Sequence, residues 1–406
     1  MGNARLKAAR IAAGYRSQQA LADALSRIGP PVGVRQVRRW ESDTPPLPHA
    51  DLARSLVQLL GQPLQALGFP APAEGPGPRP ADAPLAVMRS AVRTQASPTQ
   101  QPATAAADYG AVTASHRRLY WSVAPAVLHP SVTAHASLGW ALLPETAGAT
   151  RRGLARALAE TCLLAGRVEF FDLREPDQAA DTYVRALQAA GEADDPLLGA
   201  AVLAHMAFIP GWVGDRDAAA ERMTAARTYA RRGPASAGLL AWLDAVEAEC
   251  ETRCGHTRTA LHLIGHAEDV FAAGGEHPAD PAWLDWFSPV RLAAFKGNVQ
   301  LKAGHYPQAR ATLLGVLEDL PADADKQRTV VLGDLAAVEA AAGRPDEACD
   351  YAARALDQLD ATWYATGMER VREVRRALAP WQHEQCVRDL DERLYGWGTT
   401  LSALAR

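Results

Sequence analysis

Residues 290–323 read VRLAAFKGNVQLKAGHYPQARATLLGVLEDLPAD. Gly304 in this stretch is followed five residues later by Ala309, and Ala309 by Leu313 and Val316. Spacings of four and seven put Ala309, Leu313 and Val316 on one face of a helix. Gly304 closes the helix before it, because glycine accepts the left-handed backbone of a helix end. The same comb recurs along the chain. Arg174, Gly214, Gly255 and Gly343 precede Ala179, Ala219, Ala260 and Ala348 by five residues. Tyr183, Met223, Ile264 and Ala352 follow at the large position, then Ala186, Ala226, Ala267 and Ala355 at the second small one. Each unit predicts a helical hairpin whose second helix packs through a seam of small residues.

The array resembles the tetratricopeptide repeat. Gly297, Gly304, Tyr306, Ala309, Leu313, Val316 and Pro321 occupy successive places of its thirty-four-residue unit. The other copies are looser, with Arg174 where the inter-helix glycine belongs and Ala352 where the large residue belongs. Their alanines lie 40, 41, 49 and 39 residues apart. The widest gap holds Gly274-Gly275-Glu276-His277-Pro278 and the Trp283-Leu284-Asp285-Trp286 run. Five repeats are expected over residues 160–361, with capping helices at 109–159 and 362–406, since an exposed solenoid end needs covering. The first cap should hold two helices, around Tyr120-Trp121 and Leu138-Trp140, broken by Pro125 and Pro130. In the second cap Arg370, Arg372, Arg375 and Arg376 read as a solvated basic face. Leu197 to Gly214 is nearly uncharged and long enough to raise a membrane span. It coincides with a repeat helix and contains His205, Pro210 and Gly211, so it reads as a buried solenoid helix.

The 406 residues suit two or three domains, and at 48% hydrophobic content they can bury a large core. Four lysines stand against 38 arginines, with only two asparagines, the coding bias of a GC-rich bacterium. Five scattered cysteines fit a reducing cytoplasm better than a disulfide framework, and no signal-peptide pattern opens the sequence. Charge is divided unevenly. Residues 1–68 carry nine Arg/Lys against four Asp/Glu, so the remainder carries the acidic excess behind the overall −4. A basic head on an acidic body points to nucleic acid.

That head predicts five short helices. Leu6, Ala9 and Arg10 begin the first. Ser17 caps a second from Gln18 to Leu25, with Ala20, Leu21 and Leu25 inward. Val34 to Glu41 form a third, with Val34, Val37 and Glu41 on one side and Arg35, Gln36 and Arg39 on the other. A fourth carries Leu52, Leu56, Leu59 and Leu60 and ends at Gly61, and a fifth holds Leu64 and Leu67. Ser17-Gln18, Leu21-Ala22, Val37, Trp40-Glu41, Pro48, Leu52 and Leu60-Gly61 resemble the helix-turn-helix domain of lambda-repressor-like (XRE) regulators. About five extra residues, around Arg27 to Pro31, separate its second and third helices. A helix fits the major groove, where Arg pairs with guanine and Gln with adenine. Ser17, Gln18, Arg35, Gln36, Arg38 and Arg39 are therefore the expected contacts to double-stranded DNA. Residues 69–108, rich in Pro and Ala, read as a flexible linker that spans on the order of 35 Å as a coil.

No catalytic signature and no cofactor loop is present, so an enzyme is not expected. Cys250/Cys254 and His262/His266, each pair four apart, have zinc-like spacing. Cysteine is equally an ordinary packing residue in an alanine-rich seam, and no metal site is assigned. The inner helices of such an array line a concave groove. Its expected ligand contacts are Phe208, Trp212, Trp242, Glu249, Arg253, Arg291, Asn298 and Lys302, with Glu169 a further candidate. Arg291, Asn298 and Lys302 share nearly one helical face. There Asn298 would pair with an amide and the cations with a carboxylate or phosphate.

The expected protein is thus all-α, with a five-helix DNA-binding head, a flexible linker and a tetratricopeptide-like solenoid. The combination resembles peptide-sensing quorum regulators. That resemblance implies a cytoplasmic, homodimeric transcription regulator, free of the membrane, whose groove binds a signalling peptide or a small metabolite. Two heads would reach half-sites roughly 34 Å apart. The competing reading is a DNA-anchored adaptor whose repeats recruit a protein partner.

Overall fold

The computed structural model describes residues 3–69 except 29, 43, 44, 63 and 65, and residues 101–404 except 275 and 276. The chain divides into two compact units, residues 1–96 and 97–406. It is all-α: every regular element among the described residues is helical.

The first unit contains α1 (Ala4–Ala12), α2 (Gln18–Ile28), α3 (Val34–Trp40) and α4 (Ala50–Leu60). Leu6, Leu21, Leu25, Val37, Trp40 and Leu56 are fully buried and form its core. Asn3 fastens both ends of the unit. Its side chain accepts from the Leu6 amide and donates to the carbonyls of Trp40, at 3.1 Å, and Leu67, at 3.0 Å. Ser26 stabilises the lengthened turn after α2, its hydroxyl accepting from the Val32 amide at 2.8 Å and donating to Ala22 O at 2.9 Å. The expected fifth helix involves residues 63 and 65, outside the described residues; Leu67 nearby is buried. The linker expected over 69–108 falls largely on residues 70–100, also outside them, and its last residues are helical, since the next helix begins at Ala105.

The second unit opens with α5 (Ala105–Leu119) and α6 (Pro125–Leu142). Two helices were expected here, but Tyr120-Trp121 lie in the turn between them rather than inside one. Pro125 starts α6, where its missing N–H costs nothing, and Pro130 sits within α6 instead of breaking it. Five hairpins follow. They are α7 (Gly148–Arg167) with α8 (Pro176–Glu192), α9 (Pro196–Trp212) with α10 (Arg216–Ala230), and α11 (Ala237–Arg253) with α12 (Thr257–Ala272). Then come α13 (Pro289–Lys302) with α14 (Tyr306–Asp319), and α15 (Asp325–Ala341) with α16 (Pro345–Ala361). The first hairpin therefore begins at Gly148, twelve residues before the expected boundary at 160. α17 (Ala365–Ala377) and α18 (Gln385–Leu404) end the chain. No helix among the described residues is long and apolar enough to cross a membrane.

The small-residue comb explains the hairpins atom by atom. Arg174, Gly214, Gly255, Gly304 and Gly343 all adopt left-handed backbone, with φ of 61°, 80°, 83°, 79° and 76°. The alanines five residues on, and the comb residues four and seven further, are buried in every copy. In two hairpins a glycine of the inner helix makes room for the large comb residue. A Cβ on Gly166 would lie 2.4 Å from the Tyr183 ring, and one on Gly297 would lie 2.5 Å from Leu313.

Winding brings the two ends of the array together. The Thr366 hydroxyl of α17 donates to Phe171 O at 3.0 Å, and Glu369 pairs with Arg174. α17 thus crosses back onto the first hairpin besides covering the last one. Arg370 is consequently not on a solvated face. It is buried and paired with Asp334, Glu249 and Glu373 at 3.3–3.6 Å. Arg375 pairs with Asp391, while Arg372 and Arg376 are exposed.

The packing predicts opposite outcomes for two glycines. Gly297→Ala forces Leu313 to move and should cost about 1–3 kcal/mol. On α12 a Cβ at Gly265 meets nothing within 4 Å, so Gly265→Ala should gain up to about 1 kcal/mol of helix propensity. Urea-unfolding midpoints should move down for the first and up for the second.

Candidate functional site

Two surfaces carry the chemistry, one in each unit. In the first unit the exposed side of α3 presents Arg35, Arg38 and Arg39, with Gln36 half-buried. Val37 and Trp40 anchor the opposite side in the core. The Ser17 hydroxyl accepts from the Ala20 amide at 3.1 Å, so it caps α2. Gln18 is committed inside the unit. Its Nε2 donates to Glu41 at 2.6 Å, and Glu41 also accepts from the buried Arg10 at 2.7 Å. Gln18 and Glu41 therefore hold α3 against α1 and α2 and leave Arg35, Arg38 and Arg39 facing outward on α3.

In the second unit a partly open cavity of about 100 Å³ lies on the axis of the superhelix. It is lined from every inner helix, by Arg167 (α7), Phe208 (α9), Trp242 (α11), Asn298 (α13) and Lys326 (α15), and by Arg370 of α17. Tyr120, Trp286 and Tyr364 close it from the connections between helices. Room on this scale holds several waters, at about 10–15 Å³ each, or one compact organic molecule.

Its polar wall is a network of buried ion pairs. The Lys326 ammonium donates to Asp172 at 2.6 Å and lies 3.7 Å above the Tyr120 ring, whose hydroxyl donates to the other Asp172 oxygen at 3.0 Å. Burial raises the Asp172 pKa and lowers that of Lys326, and their mutual attraction opposes both shifts. Burial likewise opposes the charge of Arg370, but Asp334, Glu249 and Glu373 outweigh it and raise its pKa. Asp334 also accepts from Asn298 at 3.1 Å.

Six of the eight expected ligand contacts line this cavity: Phe208, Trp212, Trp242, Glu249, Arg291 and Asn298. Two do not. Arg253 stacks 3.2 Å over Trp212 and pairs with Glu249 at 2.8 Å, so it supports the wall from behind. Lys302 points outward to Glu373 at 3.4 Å. Glu169 is buried elsewhere, between His129 and Gln178. Asn298 serves Asp334, so the amide expected to meet a ligand already has a partner. The residues that sequence reasoning missed are Arg167, Tyr120, His205, Trp286, Lys326 and Tyr364. A lone arginine in the uncharged run Leu163–Val168 was the available signal for Arg167.

The zinc-like residues do not converge. The Cys250 thiol packs beneath Gly211 and contacts Ala207 O at 3.6 Å, while His266 is held by Asp244 at 2.7 Å. No group of three metal-ligating side chains forms among the described residues.

No protein-family model matches the chain, and no curated protein does. Solved structures with some likeness include BtubC (BKLC) from P. vanneervenii, 18% identical over 59% of this chain and 92% of that one, with a TM-score of 0.41. A Rap protein complexed with competence and sporulation factor is 11% identical over 74% of this chain and 99% of its own, with a TM-score of 0.46. At those scores neither likeness carries a functional argument.

His205 makes the cavity wall acid-sensitive. Its Nδ1–H donates to Ala201 O at 2.9 Å, and its ring lies among Tyr183, Phe208, Trp242 and Trp286. Burial, helped by the Arg167 charge, lowers its pKa to about 3. The unfolded chain binds this proton near pH 6.5 and the folded chain does not, so stability falls as pH drops through that window. Between pH 6.5 and 5.5 the loss from this group should be about 1 kcal/mol. His205→Phe should flatten the urea-stability profile by that amount. A variant whose profile still parallels the wild type assigns the acid sensitivity elsewhere.

Proposed function

We propose that this protein is a DNA-binding regulator whose helical array senses a small molecule in the central cavity. The observation that carries the reading is the pairing of two features in one chain. One is an exposed basic helix anchored on a small compact core, and the other is a partly open aromatic and ionic cavity built from every inner helix of an array. Arg35, Arg38 and Arg39 have the charge and exposure that phosphate and guanine contacts need. The cavity has the mixture of apolar wall and few placed polar groups that suits a compact ligand.

The size of that cavity supports a compact ligand. α17 occupies the concave side that an extended peptide or a protein segment would need, which favours a metabolite over a peptide and the sensor over the adaptor. A peptide would first have to displace Glu369 and Arg370 from Arg174, Asp334 and Glu249. A homodimer through the second unit completes the proposal. It would set two heads on a two-fold site, and the exposed Val127 and Leu138 of α6 offer apolar surface for it.

Arg35→Ala and Arg39→Ala should each weaken binding at a specific duplex site by about 1–3 kcal/mol. Melting temperature should hardly change, because both side chains are exposed. Mobility-shift titration on a site selected from random duplexes checks this, and unchanged affinity in both variants removes α3 from the interface.

A further inference from the structure

We propose that the cavity is specific for a small organic anion with an apolar or aromatic body, held through Arg167. The inference rests on the sensor reading above and names its ligand class. Arg167 is only 7% exposed. Its guanidinium sits 4.8 Å from the Tyr120 ring, 4.7 Å from Trp286 and 5.9 Å from Trp121. Among the described residues its side chain makes no ion pair and no hydrogen bond: aromatic faces are its direct neighbours, and the carboxylate that feels its charge, Asp172, is already bonded to Lys326 and Tyr120. Buried arginines are normally paired with a carboxylate, because desolvating a charge is costly unless another charge or hydrogen bonds replace the water.

The other charges around the cavity, Arg291 apart, are already committed. Lys326 belongs to Asp172. Arg370 belongs to Asp334, Glu249 and Glu373. Both lining carboxylates, Glu249 and Asp334, are consumed in that cluster, and Glu249 is also held by Arg253. His205 stays neutral, its pKa lowered to about 3 by burial and by the Arg167 charge. Arg291 is a second lining guanidinium, half-buried against Phe295 and without an ion pair among the described residues. The uncommitted charge facing the cavity is therefore positive. The Trp286 indole N–H is a further buried donor without a partner, on a ring that Arg167 faces.

Donors without acceptors define the missing group as an acceptor carrying negative charge. Arginine suits this place better than lysine. Its flat face stacks on the rings while its N–H edge stays free to grip a carboxylate with two parallel bonds. The aromatic side chains of the wall then take the remainder of the molecule. A ligand of this kind neutralises Arg167, the buried cation without an ion pair among the described residues. A neutral isostere gains the rings only, and a cation is repelled.

Because Trp121, Trp212, Trp242 and Trp286 line the cavity, intrinsic fluorescence of the full chain reports occupancy. The probes are benzoate and phenylacetate, titrated against benzamide, phenylacetamide and benzylamine. The acids should bind at least tenfold more tightly than the amides, with the amine weakest. Arg167→Gln should bring the acid-to-amide ratio close to one, and Arg167→Lys should retain a preference of several-fold. Acids and amides binding equally in the wild type, or an acid preference that survives in R167Q, overturns the assignment while leaving a small-molecule cavity intact. If no probe binds, both the anion site and the sensor reading fall. Should R167Q not fold, the wild-type ranking decides, with acid first in support and amide or amine first against.

Discussion

A lysine and an aspartate with almost no contact with water, Lys326 and Asp172, hold the second unit in its closed form. Their side chains are 2% and 0% exposed and 154 residues apart in sequence. Neither tolerates burial alone. Removing one partner of such a pair costs about 3–5 kcal/mol, because the other is left charged in an apolar place. Tyr120 completes the site, its hydroxyl bonded to Asp172 and its ring beneath the ammonium. The first hairpin, the fifth hairpin and the turn after α5 therefore meet at one point, and the cavity follows from their meeting.

Repeat arrays ordinarily hold together through neighbours alone, and their stability adds up unit by unit. Closure changes that. Arg174 with Glu369, Thr366 with Phe171, and Arg370 with Glu249 and Asp334 bind α17 to the first, third and fifth hairpins. A molecule in the centre touches all of these elements at once. It can shift the array between arrangements only if it binds one of them better than another. Arg167 lies against rings contributed by separate connections, Tyr120 and Trp286, so the anion proposed there would be coupled to closure if their spacing changes with it.

The repeats were legible because their logic is local. A small residue five after a left-handed position, with buried residues four and seven further on, is a pattern that side-chain size enforces, and the copies at Ala179, Ala219, Ala260, Ala309 and Ala348 all follow it, the last with Ala352 in the large place. The inner helices were harder to read. α9 is buried on almost every side, so it has no polar face to show which residues meet the axis, and Phe208 and Trp212 stood out only as aromatics. Arg370 misled for a related reason: four arginines in seven residues look solvated unless the acids that meet Arg370, 36 and 121 residues earlier in the chain, are known. Tyr120, Trp286 and Tyr364 lie in connections, where no period exists to place them. Asn298 was found through its rarity and its face, yet its partner is Asp334 rather than open space.

Hydrogen exchange of the full chain in the wild type and in Lys326→Met tests the closed array most directly. If the Lys326–Asp172 pair closes the superhelix, the amides of residues 168–173 and of α17 lose protection together in the variant. The outer helices α12 and α14, which hold their own hairpins, should keep theirs. An α17 that exchanges as slowly as in the wild type, or a loss of protection spread evenly over every hairpin, contradicts the account.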